Sequence, residues 1–275
     1  MFTQESPRGK LDKGSMSREI QKEDRKRRIL DAAEALIRKT GTTEFSMAVL
    51  AERASLSGPT PYNLFGSKGG ILYALLNRSV DGLFSDIARG RGKSPDPVEM
   101  VLHAAQTAGD EFASDPRFYR PLYQFLLGIH DPVNRPAYMD RALFYWKQAL
   151  LHLAEAGQLP EVISHDQLAR MMVVNTLGAL DLWVQSELDD DQFRAQVLYG
   201  TAVLLYSVAD ATQRDHLSAR LRVLERQLPK RFSTQTPETA PITASLPVAK
   251  RRAATVAPAA PPPAKSRRKV TRATV

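Results

Sequence analysis

A tyrosine, a lysine and a run of basic residues lie close together in the N-terminal part of the sequence. Tyr62 and Lys68 belong to the stretch Thr60-Pro61-Tyr62-Asn63-Leu64-Phe65-Gly66-Ser67-Lys68, and the unbroken basic run 25–28 precedes it. Phenolic hydroxyl, ammonium and guanidinium groups all donate hydrogen bonds to phosphate oxygens. The chemistry that this set supports is anion binding, although a basic run by itself more often forms a solvated surface.

The apolar pattern around these residues predicts helices that hold them in place. In the first helix, predicted from Arg18 to Gly41, apolar residues recur at helical spacing: Ile29, Ala32, Ala33, Leu36 and Ile37. A short second helix is expected to begin after the cap Ser46. The turn at 54–57 has the length found in a helix-turn-helix.

The third predicted helix is rich in proline. Ser57 is expected to cap it, which puts Pro59 at the second position, where the missing N–H has no intrahelical partner in any case. Pro61 would then lie at about the fourth position and cost the first helical hydrogen bond. Ser67 is expected to cap a long fourth helix that starts at Lys68, where the helix dipole favours an anion.

In combination, these motifs resemble the TetR family of bacterial transcriptional regulators, whose N-terminal three-helix domain ends in a helix-turn-helix with a Tyr-x-x-Phe-x-x-Lys signature. The resemblance covers residues 19–72 and is carried by matching positions: Gly41, Leu50, Ala51, Ala54, Leu56, Ser57, Tyr62, Phe65 and Lys68. Two positions depart from the family pattern. Ser55 stands where the family usually has glycine, in a turn that requires a positive φ, and Pro61 replaces a common leucine.

The resemblance implies that the exposed side of residues 57–63 enters the major groove of DNA, where base edges can be distinguished. Tyr62 and Lys68 are then expected to bind phosphates, and the basic run to bind flanking phosphates or the minor groove. Because this stretch has few long polar side chains, base readout is expected to depend on Thr60, Asn63, thymine methyl groups and DNA shape. The predicted DNA-binding residues are Arg25, Lys26, Arg28, Ser46, Met47, Ser57, Gly58, Pro59, Thr60, Pro61, Tyr62, Asn63 and Lys68.

The remaining sequence is also predicted to be helical, so the fold class is all-α, with an N-terminal three-helix helix-turn-helix domain and a larger helical ligand-binding and dimerisation domain. The predicted organisation is a disordered arm at 1–17, the helix-turn-helix domain at 18–66, the larger helical domain at 67–229 and a disordered basic, Pro- and Ala-rich tail at 230–275. Segments 165–187 and 191–211 are apolar nearly all round and must be covered on both sides. A second copy is the expected cover, in a homodimeric four-helix bundle.

In the family, the larger domain binds a small effector among its central helices. The matching region of this chain contains aromatic residues, methionines and one amide that permit a pocket for a largely apolar ligand: Tyr119, Tyr123, Phe144, Trp146, Met171, Met172, Asn175 and Trp183. Asn175 is expected on the helix face that also carries residues 168, 171, 172, 179 and 182. Each of these residues taken singly is more often a residue of the apolar core than a ligand contact.

Composition limits the other functions. The chain has no cysteine, which excludes disulfides and thiolate metal sites, and its histidines lack metal-binding spacing. No cofactor, no metal and no enzymatic activity are therefore predicted. The sequence has no secretory signal and no apolar run long enough to cross a membrane. We expect a soluble bacterial protein of the cytoplasm, associated with the nucleoid when bound to DNA and without a membrane partner.

The net charge of +8 resides in the tail, because ten Lys and Arg residues but one acidic residue follow Leu228. The tail resembles those of nucleoid-associated and histone-like proteins, and would then add non-specific DNA affinity by counterion release. A solubilising extension without a partner is the other interpretation.

The sequence thus favours a homodimeric transcriptional regulator, a repressor that binds a palindromic operator in double-stranded DNA and is released by a small, largely apolar effector. The alternative is a helical ligand-binding protein or enzyme that keeps the fold without reading an operator.

Overall fold

The structure, a computed structural model, describes residues 13–90 and 96–230, with side chains from 16 to 85 and from 96 to 230. Within these ranges the chain is helical without strands, so the predicted all-α class is confirmed. The helices are α1 (Lys13–Thr40), α2 (Met47–Arg53), α3 (Thr60–Phe65), α4 (Lys68–Gly90), α5 (Pro97–Ser114), α6 (Pro116–Gly128), α7 (Asn134–Ala149), α8 (Leu151–Glu155), α9 (His165–Val184), α10 (Asp190–Tyr206) and α11 (Ala211–Glu225). The predicted tail after residue 230 and residues 1–12 of the predicted arm lie outside the described residues.

Helix α1 starts earlier than its apolar pattern indicated. It begins at Lys13 instead of Arg18, because adding residues to an existing helix costs much less than nucleating one, even where no apolar face is buried. Helix α2 starts as predicted, since the Ser46 hydroxyl accepts a hydrogen bond from the Val49 N–H at 3.2 Å. Leu50 of this helix is completely buried, and the helix packs on α1 and α3.

The predicted start of α3 was wrong. The helix begins at Thr60, with Pro59 as the N-cap residue, whereas Ser57 bonds to the Thr60 hydroxyl at 2.7 Å instead of capping the helix backbone. Pro61 therefore lies at the second helical position and forfeits no helical hydrogen bond. The late start is favoured because it places both prolines where an N–H would have no intrahelical partner.

The turn between α2 and α3 contains a residue in the left-handed region, as predicted. Ser55 has φ of +54°, and its N–H donates to the Glu52 carbonyl at 2.9 Å. A side chain in this conformation costs energy that glycine avoids. The turn of this helix-turn-helix therefore contains a serine with a strained backbone conformation.

Ser55→Gly should raise the free energy of unfolding by up to about 1 kcal/mol, because relief of the backbone strain exceeds the extra chain entropy of glycine in the unfolded state. Urea denaturation at fixed protein concentration measures this change. Ser207→Gly is the matched control, since Ser207 has an ordinary φ of −71° and should gain nothing. An equal gain in both variants would contradict the assignment of strain to Ser55.

The helices after α4 pack into one apolar core. Helix α10 packs on α5, α9 and α11, while α7 packs on α4 and α9. Leu150 separates α7 from α8. Asp189 caps α10, because its carboxylate accepts from the Gln192 N–H at 2.8 Å and the Gln192 side chain accepts from the Asp189 N–H at 3.0 Å.

All described residues fall in one compact unit, so the predicted boundary at residue 66 remains a prediction. Of the helices in the described ranges, none combines the length and the apolar character that crossing a membrane requires.

Candidate nucleic-acid interface

The beginnings of α2 and α3 form an open cleft on the surface. Its lining includes Ser46 and Met47 from α2, and Gly58, Pro59 and Tyr62 from α3 and the preceding turn. Five residues predicted to bind DNA are thus brought together. Met47 is only 7% exposed and mainly fills the core below the cleft, whereas 53% of Tyr62 is exposed.

The outward face of α3 carries few polar side chains. Tyr62 and Asn63 are exposed, Thr60 is half-buried and Pro61 is buried. Pro61 was predicted to contact DNA, but its burial gives it a supporting position beneath the exposed face. The groups that remain available for hydrogen bonding are a phenol, an amide and a hydroxyl shared with Ser57, so this helix offers few groups suited to direct base readout.

Lys68 is the first residue of α4 and is held by two neighbours that its sequence position did not reveal. Its Nζ lies 3.5 Å from the Glu44 carboxylate and 5.1 Å from the centre of the Phe45 ring. Glu44 is strongly exposed, so this ion pair is weak and can exchange for another anion. The Ser67 hydroxyl accepts from the Gly70 N–H at 3.0 Å, as its predicted role as a cap requires.

Arg28 joins α1 to the turn of the helix-turn-helix. Its guanidinium donates to the carbonyl oxygens of Ala54 and Ser55 at 2.6 and 2.8 Å. These two oxygens belong to the strained turn, whose backbone is therefore stabilised by a charged donor. Arg28 was predicted to contact DNA, but its guanidinium already donates hydrogen bonds within the folded chain.

The rest of the basic run faces outward along α1. Arg25 donates to the Gln21 carbonyl at 3.1 Å, and Lys26 pairs with Glu23 at 2.7 Å. Arg27 pairs with Asp24 at 2.5 Å. Acidic neighbours one turn earlier on the helix therefore offset part of the positive charge, a pattern that the sequence already contained.

Arg28→Gln should lower the free energy of unfolding by about 1 to 3 kcal/mol, because two carbonyl groups lose a charged donor. Arg25→Gln is the matched control and should change it by less than about 0.5 kcal/mol, since Arg25 bonds only within its own exposed helix. Chemical denaturation of both variants distinguishes the two residues. Equal stability of both variants would show that the bonds of Arg28 to the turn contribute nothing.

An internal cavity lies among α4, α5, α6, α7 and α9, with a volume of about 40 Å³. Its walls are apolar and aromatic: Val80, Leu83, Ala108, Phe112, Tyr123, Tyr138, Ala142, Tyr145, Trp146, Val173, Thr176, Leu177 and Leu180. This volume holds one or two water molecules. A larger guest requires the wall residues to move.

The predicted effector residues are divided between this cavity and other places. Tyr123 and Trp146 line it, and Tyr119 packs behind the lining against Phe112 with 5.2 Å between ring centres. Met172 is buried outside the cavity lining, whereas Phe144 and Met171 are exposed by 53% and 47%.

The last two members of that set serve contacts between helices. Trp183 stacks on Phe193 and donates to Asp190 at 2.8 Å. Asn175 donates to the Val197 carbonyl at 3.2 Å and packs so closely on Gly200 that a Cβ there would collide with the Asn175 amide as it is placed. The cavity face of α9 is instead the set 173, 176, 177 and 180. Its spacing was present in the sequence, but a helix that is apolar on several faces does not reveal which one borders a cavity.

Helix α6 connects the cavity to α1. The Asp115 carboxylate before α6 accepts from Arg38 of α1 at 2.6 Å, and the same guanidinium lies 4.9 Å from the centre of the Phe118 ring. Two turns further along, Tyr123 reaches the cavity. The cavity and the N-terminal helices therefore share one rigid element.

Tyr119 adds a polar link within this connection. Its hydroxyl lies 2.5 Å from the Glu111 carboxylate and 3.3 Å from the Ser79 hydroxyl. Burial and the neighbouring Glu111 raise the pKa of Tyr119 above its usual range, so it remains a hydrogen-bond donor at any physiological pH.

A three-helix N-terminal unit with a helix-turn-helix, followed by a larger helical region with an internal cavity, defines the class of helix-turn-helix proteins that carry a second helical domain. Residues 29–75 match the family model for bacterial regulatory proteins of the tetR family. The helix-turn-helix lies within these matched residues, and several of the solved structures that resemble the chain are described as TetR-family regulators. No match was found among curated protein sequences.

Three solved structures illustrate the likeness. FadR of Thermus thermophilus, a TetR-family repressor in complex with lauroyl-CoA, has a TM-score of 0.59 and 22% identity, over 67% of this chain and 95% of its own. RolR in complex with resorcinol has a TM-score of 0.57 and 18% identity, over 78% of this chain and 98% of its own. A TetR-family regulator from Syntrophomonas wolfei has a TM-score of 0.56 and 18% identity, over 66% of this chain and 96% of its own. At these identities the likeness establishes the fold.

Proposed function

We propose that this protein is a homodimeric transcriptional regulator that represses by binding a two-fold symmetric operator and is released by a small, largely apolar effector. The observation that supports it most is the cleft at α2 and α3, with exposed Tyr62 and Asn63 beside it and Lys68 at the start of the next helix. A short helix with exposed polar groups beside a cationic helix N-terminus suits a DNA groove bordered by phosphates.

Each of the variants Tyr62→Phe and Lys68→Ala should weaken DNA binding about ten-fold at all sequences alike, because each removes a donor to a charged phosphate. Only Lys68→Ala should reduce the salt dependence, by about one unit of slope. Fluorescence anisotropy over a salt series measures both effects. Lys147→Ala, in α7 and paired with Asp166, is the control and should bind as the unmodified protein does.

Selection from a random DNA library separates this proposal from the alternative of a ligand-binding protein or enzyme that does not read an operator. A regulator should enrich a two-fold symmetric site whose half-sites are about one or one and a half helical turns apart. A library from which no sequence is enriched would favour the alternative. The sparse polar surface of α3 is the feature that keeps this alternative open.

Exposed apolar residues on α9 and α10 support the proposed homodimer. Met171 and Val174 lie on one face of α9, Val203 and Tyr206 lie on one face of α10, and all four are at least 40% exposed. Gly178 continues the α9 face and has open space before its Cα, so the backbone of another helix can approach closely. Apolar side chains in such a row on two neighbouring helices are typical of a subunit interface.

Val174→Glu should convert the dimer to a monomer at micromolar concentration, since a carboxylate without a partner is costly to bury in an interface. Sedimentation velocity measures the oligomeric state. Val162→Glu is the matched control, because Val162 is 91% exposed in the loop between α8 and α9 and should leave the dimer intact. A dimer that persists in Val174→Glu would place the interface elsewhere.

The contacts of α6 support the proposed response to an effector. A guest that displaces Tyr123 acts on the helix that is held to α1 through Asp115 and Phe118. Because α1 also holds the turn of the helix-turn-helix through Arg28, a shift of α6 can change the position of the cleft residues. Two of the five helices that line the cavity, α4 and α6, contact α1.

A further inference from the structure

The internal cavity contains a pair of tyrosines whose hydroxyl groups meet. The oxygens of Tyr123 and Tyr138 are 3.1 Å apart, and the two residues are 1% and 3% exposed. Both line the cavity. One hydroxyl donates to the other in this hydrogen bond. The O–H of the accepting tyrosine then has no acceptor of its own among the described residues.

A buried O–H without an acceptor is costly, so this proton requires a partner inside the cavity. The other hydroxyls of the lining have partners, because Tyr145 donates to the Ala104 carbonyl at 2.8 Å and Thr176 donates to the Met172 carbonyl at 2.9 Å. Among the hydroxyl groups of the lining, the tyrosine pair is therefore the one that retains an unpaired donor.

Burial keeps both tyrosines protonated. It raises the pKa of Tyr138 to about 12 and the pKa of Tyr123 well above its usual value. The pair consequently offers a donor over the whole physiological pH range. No side chain that is ionised at neutral pH lines the cavity, so a charged guest would meet no compensating partner there.

On the basis of the ligand-responsive function proposed above, we propose that the effector is an uncharged, compact, mostly apolar molecule with one oxygen acceptor, which binds the free hydroxyl of the Tyr123–Tyr138 pair. A carbonyl, ether or hydroxyl oxygen satisfies this requirement. A carboxylate does not, because its charge would be buried without a cation. The small volume of the cavity selects for a single ring or a short branched chain.

Three probes of similar shape test the inference: acetophenone, which is neutral and has an acceptor; ethylbenzene, which has none; and benzoate, which is charged. Their dissociation constants are measured on the full chain without DNA, by calorimetry or by the emission of Trp146, which lines the cavity. Benzoate should bind at least about ten-fold more weakly than acetophenone.

The decisive variant is Tyr123→Phe/Tyr138→Phe. It replaces both members of a buried pair by apolar rings of the same shape, a change that is close to neutral for folding. The ratio of the dissociation constant of ethylbenzene to that of acetophenone should fall about five-fold in this variant. Each single variant should retain part of the ratio, because the remaining hydroxyl no longer donates to its neighbour and can serve the ligand.

Tyr73→Phe is the matched control. Tyr73 is a buried tyrosine whose ring centre is 6.2 Å from that of Tyr138, but it does not line the cavity. This variant should keep the full ratio. An unchanged ratio in the double variant, an equal fall in Tyr73→Phe, tight binding of benzoate or the absence of binding for all three probes would overturn the inference. Because DNA takes no part, failure of operator binding is a separate result.

Discussion

Helix α4 touches α3 so closely that no side chain fits between them, and both halves of the protein depend on this contact. A Cβ at Gly70 would collide with the carbonyl oxygen of Phe65, which ends α3. From Lys68, the same helix continues without interruption to Val80 and Leu83 in the cavity wall. Because an α-helix is a stiff rod with a rise of about 1.5 Å per residue, α4 connects the cavity wall rigidly to the end of α3.

Ion pairs fix α1 against the same rod and against α6. Arg78 of α4 pairs with Asp31 and Glu34 of α1, while Arg38 of α1 pairs with Glu34 and Asp115. Exposed pairs of this kind contribute little stability one at a time. Joined in one network across three helices, they define the orientation of the N-terminal unit more than its stability. A modest force can rearrange such a network.

Features with a local cause could be predicted from the sequence, and features that depend on packing could not. The positive φ of Ser55 and the capping by Asp189 follow from residue types within one turn of the chain. The burial of Pro61 depends on where α3 starts. The hydrogen bonds of Arg28 to the turn join residues that are separated by 26 and 27 positions in the sequence. Asn175 was assigned to the wrong surroundings because α9 is apolar on several sides, so its periodicity could not distinguish the cavity from the α10 contact.

The narrow cavity has a consequence for the sensitivity of the protein to the proposed effector. At about 40 Å³, it is far smaller than the pockets that usually enclose small molecules, so the aromatic walls must separate before a ring can enter. The apparent dissociation constant is then the intrinsic constant divided by the fraction of molecules with separated walls. If the protein responds to an effector as proposed, the concentration at which it responds is therefore governed by the packing of its core as well as by contacts with the effector. Substitutions that never touch the ligand can retune this threshold, and a lineage can adjust it without altering chemical selectivity.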